Sequence, residues 1–274
     1  MNRPGFPSPT LHVAFAGQRV AVKSHVPQLL AALSAHFRHF HGCNASTPVG
    51  TIEVHATGTG YEVCINGVTT LTDTSLTAIA CHVKYEVTVR LIEAVPALLW
   101  LHASAVSCND RSMVYLGPRG AGKSTLATLL VERGSTYRCD DIVPLDLTLH
   151  TVLPFPETPM QRSKVNHELC PCHVDQLDKT EVALPEDAVC RAARVVPIMV
   201  LPTYILSSKI ILTPCSPDAT TTAIDILQHS IHWRASDHSM ISKLLRLIRS
   251  IPIYRFTYGD PETAVTLLSK VLPN

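Results

Sequence analysis

The chain has 274 residues, 46% of them hydrophobic and 16% charged, with a formal net charge of +1. That length holds one large or two small domains, and the composition excludes a disordered chain. The near-neutral balance leaves no basic footprint, so neither nucleic acid nor an anionic membrane is expected as a partner.

In chain order, residues 1–10 hold three prolines and read as a loose arm. Residues 11–15 and 19–22 read as short strands around Gly17-Gln18. Residues 28–40 (QLLAALSAHFRHF) carry apolar side chains at helical spacing. Residues 51–55, 61–65 and 68–71 read as strands, the last two joined by Asn66-Gly67, the strongest short hairpin signal. A long helix is predicted over 75–100, with Pro96 near its end. Residues 1–100 are thus expected to form a small N-terminal α+β domain that recognises a partner or mediates assembly.

A second domain is expected over 101–274. Residues 101–107 (LHASAVS) and 112–116 read as antiparallel strands, and 124–133 (STLATLLVER) as a helix stopped by Gly134. Short strands follow at 136–139 and 142–147, flanking Asp140-Asp141. The proline- and charge-rich span 153–192 shows few clear elements. Strands are predicted at 195–200, 209–212 and 253–256, and helices at 220–229, 239–249 and 261–271. No apolar stretch is long and uninterrupted enough to span a bilayer. The nine cysteines are scattered and odd in number, and the start MNRPGFPSPT lacks a signal-peptide core. A reducing cytoplasm is the expected setting.

Residues 117–125 carry the most specific signal. Gly117, Pro118, Arg119, Gly120, Ala121, Gly122, Lys123, Ser124 and Thr125 satisfy G-x-x-x-x-G-K-S/T, between an apolar strand and a helix. Glycines let backbone N–H groups curl around an anion, and the helix N-terminus adds partial positive charge. Lys123 would reach the β- and γ-phosphates and Ser124 would coordinate Mg²⁺. A nucleoside triphosphate is therefore the expected ligand.

Asp140-Asp141 supplies what phosphoryl transfer further needs, a carboxylate for the metal and a group for the acceptor proton. The pair also suits a turn or N-cap. His102 either packs in its strand or orients an aspartate. Pairing of the two strands would bring it to the start of the loop. His167, Cys170, Cys172 and His173 crowd four potential zinc ligands into seven residues, but C-x-C-H is not the usual spacing and no second pair follows. Cys139 reads as a small buried residue, and Trp100 and Trp233 as packing residues.

The succession His102-Ala-Ser-Ala-Val, 117–125, Glu132-Arg-Gly and Cys139-Asp-Asp-Ile-Val-Pro-Leu resembles the HPr serine kinase/phosphorylase family. It is most similar to the short HPr-kinase-like proteins of lasso-peptide and related modified-peptide clusters. The resemblance covers residues 101–147, and more weakly 153–164 and the C-terminal helices. It implies an α/β P-loop domain like the family's C-terminal domain. It also implies an ATP- and Mg²⁺-dependent transfer to a serine of a peptide or protein, and a homo-oligomer. It makes Asp140 the general base, and has Asp141 hold the metal or orient His102, although the residues alone leave the division open. Lys164 would stabilise transferred charge. The family's second glycine-rich signature, linked to protein binding and phosphorolysis, is missing after the acidic pair, so a one-way kinase with another acceptor is expected. A regulatory module that binds nucleotide without transferring it, and a small-molecule kinase, are the alternatives. Sequence does not distinguish ATP from GTP, because no base-reading motif is visible.

Overall fold

The computed structural model describes residues 8–40, 47–108, 111–162, 179–182, 184–206, 208–215, 218–231 and 238–271. The chain divides into two compact units, Met1–Pro96 and Ala97–Asn274.

In the first unit, β1 (Thr10–Phe15) and β2 (Gln18–Ser24) form a hairpin turned by Ala16 and Gly17, at φ 47° and 79°. Helix α1 (Pro27–His36) leads to β3 (Gly50–Ala56), which pairs parallel with β2. Strands β4 (Tyr61–Ile65) and β5 (Val68–Asp73) complete a sheet ordered β1-β2-β3-β4-β5. Asn66 and Gly67 take φ 50° and 83°, the left-handed pair that a two-residue turn needs to match strand twist. Helix α2 (Leu76–Ala94) starts at Ser75, whose Oγ accepts the Ala78 N–H. It buries Ile79, Val83, Val87 and Leu91, a four-residue repeat forming one stripe against the sheet.

Two boundaries differ from the sequence reading. Helix α1 ends at His36, short of Phe40. Helix α2 ends at Ala94 and does not run to Trp100, because Val95 precedes Pro96 and is pushed out of helical geometry, at φ −127°. Leu99–Leu101 instead form β6, fully buried in the second unit, so residues 97–100 belong with that unit.

The centre of the second unit is three parallel strands: β8 (Arg111–Leu116), β14 (Arg194–Tyr204) and β16 (Ile253–Tyr258). On the far side of β8 stand β7 (Ala103–Cys108) and β9 (Thr136–Cys139), both antiparallel. On the far side of β16 stands β15 (Ile211–Pro214). Strands β10 (Val143–Asp146) and β11 (Thr151–Val152) link β6 to the start of β14. The span predicted to lack clear elements holds a small ribbon of β12 (Met160–Arg162) and β13 (Lys179–Glu181).

Helices α3 (Lys123–Glu132) and α6 (Pro261–Val271) pack together on one face of the sheet. Leu126, Ala127 and Leu130 of α3 and Ala264, Val265 and Leu268 of α6 join Met113, Tyr115, Ile198, Val200, Phe256 and Tyr258 in one buried cluster. Strands buried on both faces are what parallel pairing demands, and β8 is buried from Ser112 to Leu116. Helices α4 (Ala219–Leu227) and α5 (His238–Ser250) pack on each other. Among the described residues no helix is long and apolar enough to cross a membrane. The six described cysteines, Cys64, Cys81, Cys108, Cys139, Cys190 and Cys215, are free thiols. Lys164, His167, Cys170, Cys172, His173 and Trp233 lie outside the described residues.

Candidate functional site

The site is built where β8 ends. Residues 117–122 turn from β8 into α3, with Gly120 and Gly122 at φ 87° and 85°. Both angles lie in the left-handed region, which glycine enters without a Cβ penalty. Gly122 is also a close-approach position, since a Cβ there would fall 1.8 Å from Tyr258 Oη. That hydroxyl donates to the Ala121 carbonyl at 3.2 Å, so β16 braces the loop from beneath. Gly122 is the N-cap of α3 and offers no side-chain cap to the first-turn N–H groups. Donors at a helix start with no capping side chain are the chemistry of an anion site.

Lys123 is buried at 6% exposure. Its Nζ donates to the Gly117 and Pro118 carbonyls at 2.8 and 3.3 Å, and stands 3.4 Å from His102 Nε2. The ammonium thus lies over the loop, on carbonyls whose place an anion's oxygens can take. Pro118, Arg119 and Thr125 share the turn and first helical residues with Gly117, Gly120, Ala121 and Gly122.

His102 occupies the bend between β6 and β7, and breaks the single strand predicted over 101–107. Its backbone N–H donates to His229 O at 2.6 Å, while the Ile231 N–H donates to Trp100 O at 2.9 Å. The segment after α4 therefore pairs beside β6 and pulls His102 out of the sheet ladder. The opposition of Ala103 and Leu116 brings this bend to the start of the loop. His102 Nδ1 is 3.1 Å from the Asp141 carbonyl oxygen. Only an N–H can meet a carbonyl there, so Nδ1 carries the proton and Nε2 accepts from Lys123.

The acidic residues face different surroundings. Asp140, at the end of β9, is buried at 5% exposure. Its Oδ1 accepts from Ser124 Oγ at 3.0 Å and from Ser104 Oγ. Burial, and secondarily the Asp141 charge, push the Asp140 carboxyl up to about 6, against the lowering effect of the two serine hydroxyls. Asp141 is at φ 66°, with a half-exposed side chain whose Oδ1 is 4.0 Å from His102 Nδ1. The structure therefore joins Ser124 to Asp140 and not to Asp141.

Two further residues complete the site, Ser104 and His229. Ser104 is fully buried on β7, two residues after His102, a spacing that would put both on one face of the strand predicted over 101–107. The sequence carried that signal. His229 had no signal, because it reaches the site through non-local pairing. Its imidazole titrates below the ordinary range because of partial burial, then the charges of Lys123 and His102. Cys139 is buried, and burial pushes its thiol up to about 12, so it stays protonated.

Ser124 Oγ and Asp140 Oδ1 form a pair of hard oxygens 3.0 Å apart. That donor set fits Mg²⁺, which in triphosphate sites takes one or two protein oxygens and completes its octahedron with phosphate and water. Among the described residues, no group of three or more His, Cys, Asp or Glu side chains is placed to hold a metal.

No protein-family model and no curated protein matches the chain. Among solved structures it is similar to the Hpr(Ser) kinase/phosphatase from Coxiella burnetii, with 17% identity and a TM-score of 0.34, covering 63% of this chain and 95% of that one. A likeness of that degree assigns neither a site nor a reaction.

Proposed function

We infer that the second unit is a P-loop kinase that moves the γ-phosphoryl group of ATP to a serine hydroxyl of a peptide or protein. The observation that carries this reading is the Ser124–Asp140 hydrogen bond at the mouth of the glycine loop. It sets a hydroxyl and a carboxylate beside a helix start whose N-cap, Gly122, supplies no side-chain cap. The serine acceptor, of the kind found in lasso-peptide precursors, rests on the sequence resemblance over residues 101–147. So does an assembled state, whereas a cytoplasmic setting rests on the scattered, odd-numbered cysteines, and acceptor recognition is assigned to the first unit as the separate small domain.

The roles follow from surroundings. Backbone N–H groups of 117–124 bind phosphate oxygens, and Lys123 exchanges the Gly117 and Pro118 carbonyls for them. Ser124 and Asp140 would hold Mg²⁺, which when bound offsets the charge gathering on the phosphate oxygens. Asp141 is assigned to accept the serine proton, since its carboxylate is half-exposed beside His102 while Asp140 is engaged by Ser124. This division reverses the one implied by the resemblance. His102 donates to the Asp141 carbonyl and steadies that residue's left-handed backbone. Positioning and electrostatics supply most of the acceleration in such transfers.

The test is incubation of the purified chain with γ-labelled ATP, Mg²⁺ and serine-bearing precursor peptides. Label on serine, lost in Lys123→Ala, is the expected result. Tight ATP binding with no transfer to any hydroxyl would favour a regulatory module. Label on a small alcohol in competition with peptide would favour a small-molecule kinase.

A further inference from the structure

We propose that Tyr204 at the end of β14, with Ile205 and Leu206 just after it, is the shelf on which the base of the bound nucleotide lies. This rests on the triphosphate reading of the glycine loop and extends it to the part of the ligand that the loop does not touch. The loop has two flanks. On one, β7 and β9 carry Ser104 and the acidic pair, which fix the γ end of a triphosphate. The nucleoside must then leave toward the other flank, where β14 and β16 end.

That flank is in contact with the loop. A Cβ on Gly117 would lie 3.2 Å from Pro202 O of β14. Tyr204, two residues on, packs its ring 5.5 Å from that of Tyr258, the residue whose hydroxyl braces Ala121. The Ile205 N–H donates to Tyr258 O at 2.9 Å and holds the turn against β16. Yet the three side chains remain open, with Tyr204 40%, Ile205 52% and Leu206 75% exposed. An exposed aromatic–aliphatic run pinned beside a phosphate-binding turn has the chemistry of a stacking platform. None of the three side chains carries a charge or an amide to read a base edge. Stacking tolerates any base, because every base has a π-face. The shelf should therefore accept adenine and guanine within a few-fold of each other, which accounts for the lack of a base-reading motif.

Calorimetric titration of the full chain with Mg–ATP and Mg–tripolyphosphate tests this, using wild type, Tyr204→Ala, Tyr204→Phe and Leu206→Ser. Wild type should bind ATP more tightly than tripolyphosphate. Tyr204→Ala should raise the ATP Kd roughly tenfold, with Leu206→Ser weaker in the same direction. Neither should change the tripolyphosphate Kd, and Tyr204→Phe should restore ATP affinity. Equal weakening of both ligands by Tyr204→Ala would mean a brace for the loop, and would overturn the assignment. So would unchanged ATP affinity with a raised acceptor KM, which would make the shelf a peptide contact. If wild type bound neither ligand, the loop reading would fall as well, an outcome distinct from failure of the shelf alone.

Discussion

Replacing Asp140 by Asn should stabilise the second unit near neutral pH while abolishing transfer. The carboxyl sits at about 6 in the folded chain against an ordinary 3.8. Below pH 3.8 both folded and unfolded chains hold the proton and the group is neutral to stability. As pH rises, the unfolded chain releases its proton first, so the folded state loses stability until pH exceeds about 6. The full loss is about 3 kcal/mol, from 2.2 pH units at 1.36 kcal/mol each. Asn keeps an oxygen that can accept from Ser104 and Ser124 and carries no charge to desolvate. The stability difference between Asp140→Asn and wild type should therefore widen by roughly 2 kcal/mol between pH 4 and pH 7.5. Urea unfolding followed by tryptophan fluorescence reads this unit, since both tryptophans, Trp100 and Trp233, lie in 97–274. A difference that stays flat with pH, or an Asn variant less stable at pH 7.5, would refute the reasoning.

Ser104→Ala removes a hydroxyl that lowers the Asp140 carboxyl, so the pH range of that widening should move upward in the same unfolding assay. Gly122→Ala should cost more than about 2 kcal/mol and abolish ATP binding by calorimetry, because left-handed strain adds to a collision with Tyr258 Oη. Gly134→Ala, at φ 94° with open space around the new methyl group, should cost only about 1–2 kcal/mol in thermal unfolding and leave ATP binding intact. Arg138 is fully buried and donates to the Val152 and Ala192 carbonyls and to Cys190 Sγ. Arg138→Met should cost about 3 kcal/mol in urea unfolding by stranding those carbonyls.

What could be read from sequence followed the range of the interactions. The Asn66-Gly67 turn and the strand–loop–helix of 111–132 are local, set by turn chemistry and periodicity, and both appear. Pro96 is a local stop that acts on Val95 and ends α2 at Ala94, although the apolar spacing continues at helical intervals to Trp100. The bend at His102 had no local cause. It arises where residues 229–231 pair beside β6, more than a hundred positions away. The same limit hid the site's polarity. Two adjacent aspartates look alike in sequence, but β9 turns Asp140 inward to Ser104 and Ser124, while the left-handed backbone of Asp141 leaves its carboxylate half-exposed. Tyr258 under Gly122 and Tyr204 against Tyr258 come from parallel pairing of β14 with β8 and β16, which no spacing along the chain announces.

The most direct measurement is a crystal structure of the full chain with Mg²⁺ and a non-hydrolysable ATP analogue. The triphosphate should lie within the N–H groups of 117–124, with the ion bound through Ser124 and Asp140, and Asp141 facing the open side. Phosphates found elsewhere, or an ion held by Asp141 with Asp140 still on its serines alone, would contradict the account.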